Sequence, residues 1–177
     1  MKVDIAEIRQ GGAGAKSDFD YQGPLDLVDL RFLGPVQLHL RLSNAGSRLL
    51  MQGELEGKVR VTCDRCAEDF EETLTVEIDE EYLPSASPEA AGHEDDPWTD
   101  INVYQPEDTT VDVTEVLRQN TLAALPIQAL CSEACQGLCA SCGENLNKRQ
   151  CSCERSSIDP RWQPLLKHMQ QTEPSSN

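Results

Sequence analysis

Alternating apolar and polar residues predict three consecutive β-strands in the first half of the chain. Apolar residues recur at every second position across 36–42, and across 55–63 and 70–78 with Gly57 and Glu72 as exceptions. Such alternation is typical of strands that have one face on the core and the other in water. Asn44-Ala45-Gly46 is a turn signal, and the connections are short. The pattern therefore predicts an antiparallel β meander with one solvent-exposed face.

Apolar residues at helical spacing predict two helices on the C-terminal side of this meander. The first begins at Asp112, where Glu115 three residues later gives the spacing of a capping box, and it ends before Pro126. The second begins at Asp159-Pro160, a typical helix start, and continues with apolar residues at helical spacing from Trp162 onward. Near the amino end, the apolar residues at 3, 5 and 8 indicate a short strand.

The charge is strongly negative and unevenly distributed. The 177 residues include 31 acidic and 15 basic side chains, for a net charge of −16. Between Cys63 and Glu115 the only Lys or Arg is Arg65, among 18 acids. A nucleic-acid-binding protein gains affinity from Lys and Arg that displace counterions, so this stretch would repel a phosphate backbone. Two interpretations stay open: a solvated acidic loop that aids solubility, or a docking surface for a basic protein.

Several classes of protein are excluded or disfavoured. No run of about 18 apolar residues exists, so a membrane span is not expected, and the first residues lack the apolar stretch of a secretory signal. We therefore expect a cytoplasmic protein. No Ser-His-Asp, P-loop or dinucleotide motif is present, and His39, His93 and His168 are expected at the surface. This favours a non-enzyme without a small-molecule substrate.

Eight cysteines form four close pairs, which predicts metal binding. A structural zinc ion takes four thiolate or imidazole ligands at tetrahedral corners, and two ligands a few residues apart chelate it from a single turn. Four such pairs are what two closed sites require, so one or two structural Zn²⁺ ions are expected. Gly143 gives the turn after Cys142 its conformational freedom. The pairs are Cys63 and Cys66, Cys131 and Cys135, Cys139 and Cys142, and Cys151 and Cys153.

Four pairs can be joined two by two in three ways. Only eight residues separate Cys142 from Cys151, so closing one site over 139–153 costs little chain entropy. A second, long-range site would then combine the pair at 63 and 66 with the pair at 131 and 135. A redox CxxC, disulfides, an iron–sulfur cluster, rubredoxin-like iron and one zinc with spare thiols are the alternatives.

These features predict an α+β fold: an antiparallel β meander packed with one or two helices, plus a small cysteine-rich zinc-knuckle segment. The expected segments are an antiparallel β region with the first CxxC knuckle over 1–83, an acidic mobile loop over 84–108, a helix and connection over 109–130, a cysteine-rich zinc-binding segment over 131–157, and a C-terminal helix with a disordered tail over 158–177.

The order of these features resembles the YceD family, the large ribosomal RNA subunit accumulation proteins. The resemblance covers most of 34–170, and CxGLCxxCGxNLN followed by CxC is a specific string. Some relatives lack the second set of cysteines, which implies that 139–153 is an addition and supports the grouping above. The matching stretches are VRVTCDRCAEDF (59–70), EVLRQNTLAALPIQALC (115–131), CQGLCASCGENLN (135–147), CSC (151–153) and IDPR (158–161).

The resemblance implies a bacterial or plastid protein needed for normal accumulation of the large-subunit (23S) ribosomal RNA. Because the chain is so acidic, we expect it to act through a basic ribosomal protein or assembly factor, with the acids of 63–115 as the docking surface and only indirect association with the RNA. The alternative is a zinc-knuckle protein that binds ribosomal RNA directly. Its candidate contacts are Lys148, Arg149, Arg155, Arg161 and Lys167.

Overall fold

The computed structural model describes residues 1–28, 30–87, 102–153 and 162. By its internal contacts the chain divides into two units. The first comprises Met1–Cys63 and Glu68–Cys131, and the second comprises Asp64–Ala67 and the chain from Ser132 onward. In chain order the elements are β1 (Lys2–Asp4), α1 (Ala6–Gln10), β2 (Lys16–Gly23), β3 (Asp26–Leu27), β4 (Leu30–Arg31), β5 (Val36–Asn44), β6 (Leu49–Thr62), β7 (Asp69–Pro84), β8 (Val103–Tyr104), β9 (Thr110–Asp112) and α2 (Thr114–Ala124).

The first unit is built on a five-stranded sheet in the order β2-β5-β6-β7-β8. Each pair from β2 through β5 and β6 to β7 is antiparallel, and β8 joins β7 in parallel. The predicted meander is therefore confirmed as β5, β6 and β7. Its long strands alternate between buried and exposed residues along most of their length, as the apolar pattern requires.

One face of this sheet forms the core. Leu40, Met51 and Leu55 are fully buried there, and side chains from β1, α1, β9 and α2 complete the same cluster. α2 contributes Val116 and Leu117 from its buried side. Sheet and helices share one apolar cluster, so the chain has the α+β class that its sequence predicts.

The structure corrects or adds to the local predictions in three places. The strand expected through residues 3–8 ends at Asp4, and Ile8 lies in the short helix α1. Residues three apart lie on one side of a helix but on opposite sides of a strand, so the helix lets both Ile5 and Ile8 face the core. β2, at the sheet edge, and the small β3–β4 hairpin lie in a stretch where the apolar pattern predicts no element. Within the segment predicted as a loop, Val103–Tyr104 pairs with Leu83 and Pro84.

The predicted helix after residue 112 is present, but the capping box is wrong. α2 begins at Thr114, and the Asp112 carboxylate accepts the Thr114 N–H at 2.9 Å. Glu115 does not reach back to the helix start, because the Arg118 guanidinium binds its carboxylate from one turn ahead. The predicted C-terminal helix lies outside the described residues except for Trp162, which is exposed. No helix in the described residues is long and apolar enough to cross a bilayer.

Candidate metal centres

The structure brings the eight cysteines together in two groups of four. In each group the four Sγ atoms lie within 4.8 Å of one another. This is the grouping that the short spacing within 139–153 favours. Group A consists of Cys63, Cys66, Cys131 and Cys135, and group B consists of Cys139, Cys142, Cys151 and Cys153.

The first pair of group A lies in the tight connection that follows β6. Cys63 directly follows the strand, and its N–H donates to the Glu68 carbonyl at 2.9 Å, which closes the turn. Ala67 adopts a left-handed conformation, with φ of 55°. Both sulfur-bearing residues of this turn are buried. Burial of thiols in a short turn without a disulfide is typical of structural metal sites.

The second pair of group A is held in its own turn by backbone hydrogen bonds and by Arg65. The Cys135 N–H donates to the Ser132 carbonyl at 3.1 Å. The Arg65 guanidinium donates to the carbonyls of Glu133 and Cys135, both at 3.3 Å. The main-chain carbonyl of Arg65 accepts the Leu138 N–H at 3.0 Å. The spacing of the cysteines did not predict this role for Arg65.

Gly137 is the point where the backbone approaches Arg65 most closely. A Cβ added to Gly137 would lie 2.9 Å from the Arg65 carbonyl oxygen, and φ there is +74°. Both facts favour glycine, since a side chain would clash and the left-handed conformation is costly for other residues. Gly137 is therefore a structural requirement of this turn.

Group B is organised by a second turn of the same kind. The Gly143 N–H donates to the Cys139 carbonyl at 2.8 Å, and the Cys139 N–H donates to the Glu144 carbonyl at 2.8 Å. Gly143 has φ of +74°, as predicted from its place after Cys142. The backbone N–H groups of Cys142 and Ser141 lower the pKa of the Cys139 thiol to about 6.

The Cys153 thiol of group B resists ionisation. Hydrogen bonding with Cys142 and burial raise the pKa of Cys153 to about 12, and the charges of Cys142 and Cys139 add to this. Like charges that share a small volume oppose each other. Cys153 therefore releases its proton readily only when a cation takes up the negative charge.

The two groups fit a tetrahedral, thiolate-ligated metal ion. Sulfurs about 2.3 Å from zinc at tetrahedral corners lie about 3.8 Å apart, within the 4.8 Å observed. The structure joins none of the eight cysteines in a disulfide. Of the three histidines, His39 is exposed and contacts Asp20 at 2.7 Å, and His93 and His168 lie outside the described residues. In both groups, cysteines alone could supply four ligands to a metal ion.

These features define a class: a small α+β protein with two closed four-cysteine groups. The family model described as "Large ribosomal RNA subunit accumulation protein YceD" matches residues 51–167. The chain therefore belongs to the YceD family, as its motifs indicated. The matched segment contains all eight cysteines.

Curated relatives extend the likeness over nearly the whole chain. The chloroplastic large ribosomal RNA subunit accumulation protein YCED homolog 1 of Arabidopsis thaliana is 29% identical over 98% of this chain and 60% of its own length. The protein of the same name from Zea mays is 23% identical over 77% of the chain and 54% of its own length. The chain thus spans little more than half the length of these two relatives.

A bacterial relative matches end to end. The uncharacterized protein YlbN of Bacillus subtilis is 23% identical over 99% of this chain and 100% of its own length. No solved protein structure shows significant similarity to the chain.

Proposed function

We propose that this protein is a non-enzymatic zinc-binding factor that supports accumulation or processing of the large-subunit ribosomal RNA. The observation that carries the zinc assignment is the convergence of eight cysteines, none of them in a disulfide, into two groups of four. The family description and the plant relatives' names carry the ribosomal assignment. Eight cysteines without a disulfide suit a reducing compartment, which accords with the cytoplasm.

Each group would hold one structural Zn²⁺ ion. Zinc binds four thiolates in a tetrahedral arrangement. Its binding also contributes free energy of folding to a segment that has little regular structure. In the described part of 132–153, the only strand-like pairing is the isolated bridge between Leu138 and Asn145. A closed shell of four protein ligands leaves no position for a reacting water, so the ions would have a structural role.

The zinc assignment is tested on purified full-length protein by elemental analysis together with native mass spectrometry. We expect two zinc ions per chain, held against dilution into metal-free buffer. A folded protein without metal, or one whose cysteines are joined as disulfides in the reduced cytoplasm, would overturn it. Iron in place of zinc would keep the two sites and change only the ion.

The adaptor role rests on the charge of the exposed sheet face. The strand register places nine acids on this face, against the cations Lys16, Arg41, Lys58 and Arg60. The acids from 63–115 therefore supply only part of the negative charge on this face, because β2 and β6 add acids from earlier in the chain. The nine acids are Asp18, Asp20, Glu54, Glu56, Asp69, Glu71, Glu77, Asp79 and Glu81.

The central acids of this face are available for a partner. Among the described residues, no cation pairs with Glu54, Glu56 or Glu77, and all three are exposed. Asp20, His39, Glu54 and Glu56 line a depression of about 460 Å³ on the same face. A concave surface with excess negative charge suits Lys and Arg side chains of a basic ribosomal or assembly protein.

The structure gives little support to direct RNA binding through the cysteine-rich segment. Of the five cations that would contact RNA there, only Lys148 and Arg149 lie in the described part of the chain. The Arg149 guanidinium is 2.6 Å from the Glu144 carboxylate, which reduces its attraction for phosphate. Direct binding of the protein to ribosomal RNA is the alternative that the binding experiment must distinguish.

The adaptor role is tested by charge reversal. Glu54→Lys with Glu77→Lys should weaken binding to basic large-subunit proteins about tenfold or more, and wild-type affinity should fall as salt rises. Glu7→Lys with Glu107→Lys makes the same change in net charge at two exposed residues off the sheet, one in α1 and one in the loop that Arg9 of α1 contacts, and should leave affinity within about twofold. Tight binding to naked ribosomal RNA, with none to basic ribosomal proteins, would overturn the proposal.

A further inference from the structure

The side chain of Asn147 contacts a group A sulfur from the loop that carries group B. Its Nδ2 donates to Cys135 Sγ at 3.3 Å, and its Oδ1 accepts the Gln136 N–H at 2.8 Å. The Gln136 N–H can only donate, so the amide oxygen must face it and the NH₂ must face the sulfur. The Asn147 side chain therefore has one orientation that satisfies both partners.

Asn147 is held in place by its own loop. Asn145 is 8% exposed, and its Oδ1 accepts both the N–H and the Nδ2 of Asn147 at 3.0 Å. The Leu146 N–H donates to the Gly137 carbonyl at 2.9 Å, and Asn145 forms the bridge with Leu138. These contacts close the stretch 137–147 around Cys139 and Cys142.

From this geometry we propose that Asn147 is a positioning residue for metal binding at group A and makes occupancy of the two groups cooperative. The inference rests on the proposed zinc sites. Filling group B orders the loop 139–147 and so fixes the amide that faces Cys135. A hydrogen bond to a thiolate stabilises its charge and orients it, and loss of such an outer partner typically lowers metal affinity 10- to 100-fold.

The test titrates zinc-loaded, full-length protein with a chelator and counts the two-, one- and zero-zinc species by native mass spectrometry. If the groups are coupled, the one-zinc form at half release stays well below about half of the molecules, the share for two equal, independent sites. In Asn147→Ala, the one-zinc form should rise above that share, because group A releases its ion first. Gln150→Ala, an exposed amide of the same segment, should behave as wild type.

A second variant separates hydrogen bonding from folding. Asn147→Asp keeps the acceptor for the Gln136 N–H and the backbone N–H that Asn145 accepts, but it has no side-chain N–H for the sulfur or for Asn145. After exchange with ¹¹³Cd, it should shift the metal resonance of group A and leave that of group B unchanged. Two zinc ions released independently, with the same species in wild type and Asn147→Ala, or a maximum of one zinc, would overturn the coupling. Wild-type protein without metal would overturn the zinc proposal itself.

Discussion

In the centre of the sheet, Gly53 on β6 lies directly against the carbonyl group of His39 on β5. A Cβ added to Gly53 would overlap the His39 carbonyl oxygen and come within 2.9 Å of the Leu40 Cα. The obstacle is backbone, which cannot move aside without breaking the register between the two strands. A glycine in a strand interior is thus explained by the close approach of its neighbour.

Gly53→Ala should therefore destabilise the protein by about 1–3 kcal/mol or more, the usual cost of forcing an atom into a packed interior. Urea unfolding followed by circular dichroism measures the change. Gly34→Ala is the matched control, because nothing lies within 4 Å of its added Cβ and φ is not in the left-handed region. Equal stability of the two variants would contradict the close approach at Gly53.

The parts of the fold that the sequence predicts are those in which local pattern and tertiary burial agree. The strands β5, β6 and β7 alternate because one face of each is buried, and the alternation is visible without a structure. β2 is different, since it lies at a sheet edge where Phe19 and Tyr21 are only partly buried. Its signal is correspondingly weak.

The capping prediction fails for a different reason. The spacing of Asp112 and Glu115 fits a capping box, but Arg118 lies one turn further along the helix and binds the Glu115 carboxylate with a full opposite charge. The Arg118 side chain competes with the backbone N–H at the helix start for the Glu115 carboxylate, and the residue spacing alone does not show which of the two binds it.

In the candidate site, too, some residues are predictable from the sequence and others are not. Cysteine spacing predicts the pairs, and loop length predicts which pairs come together. Arg65 and Asn147 carry no such signal, because they act through contacts with segments distant in sequence or through the backbone of another turn. Arg65, for example, contacts Cys135, 70 residues away. Residues of this kind are found only once the fold has placed them.

The start of α2 should make stability depend on pH through Asp112. Its carboxylate accepts the hydroxyl of Thr114 at 2.6 Å and the N–H of Thr114 at 2.9 Å, and these bonds lower its pKa from 3.8 to about 2. Because the folded-state pKa is the lower one, the carboxylate stabilises the fold above about pH 4. That contribution is lost as the pH falls from about 4 to about 2.

Asp112→Ala should cost about 0.5 kcal/mol at neutral pH, at the lower end of capping effects because the side chain is 58% exposed. The difference from wild type should shrink as the pH falls towards 2. Asp112→Asn keeps an acceptor for Thr114 but does not titrate, so it isolates the pH-dependent part. A constant difference between wild type and Asp112→Asn from pH 7 to pH 2 would contradict the lowered pKa.

The core makes a prediction of larger size. Leu55 is fully buried in the cluster beneath the sheet, whereas Val28 is 73% exposed. Leu55→Ala should lower the free energy of unfolding by about 2–5 kcal/mol, since it removes buried carbon and leaves a cavity. Val28→Ala should change it by less than about 0.5 kcal/mol. Comparable losses from the two variants, measured in the same urea titration, would place the core elsewhere.

Removal of metal should affect the two units unequally. The first unit has its own apolar core and a five-stranded sheet, whereas the described part of 132–153 has turns and the single bridge between Leu138 and Asn145. With a strong chelator present, amides at 135–147 should lose most of their protection from hydrogen exchange, and those of β5 and β6 should keep theirs. Peptide-resolved exchange with and without chelator measures both regions in one sample. Restoration of protection by added zinc is the control, and equal loss of protection across the sheet would show that the ions support the whole fold.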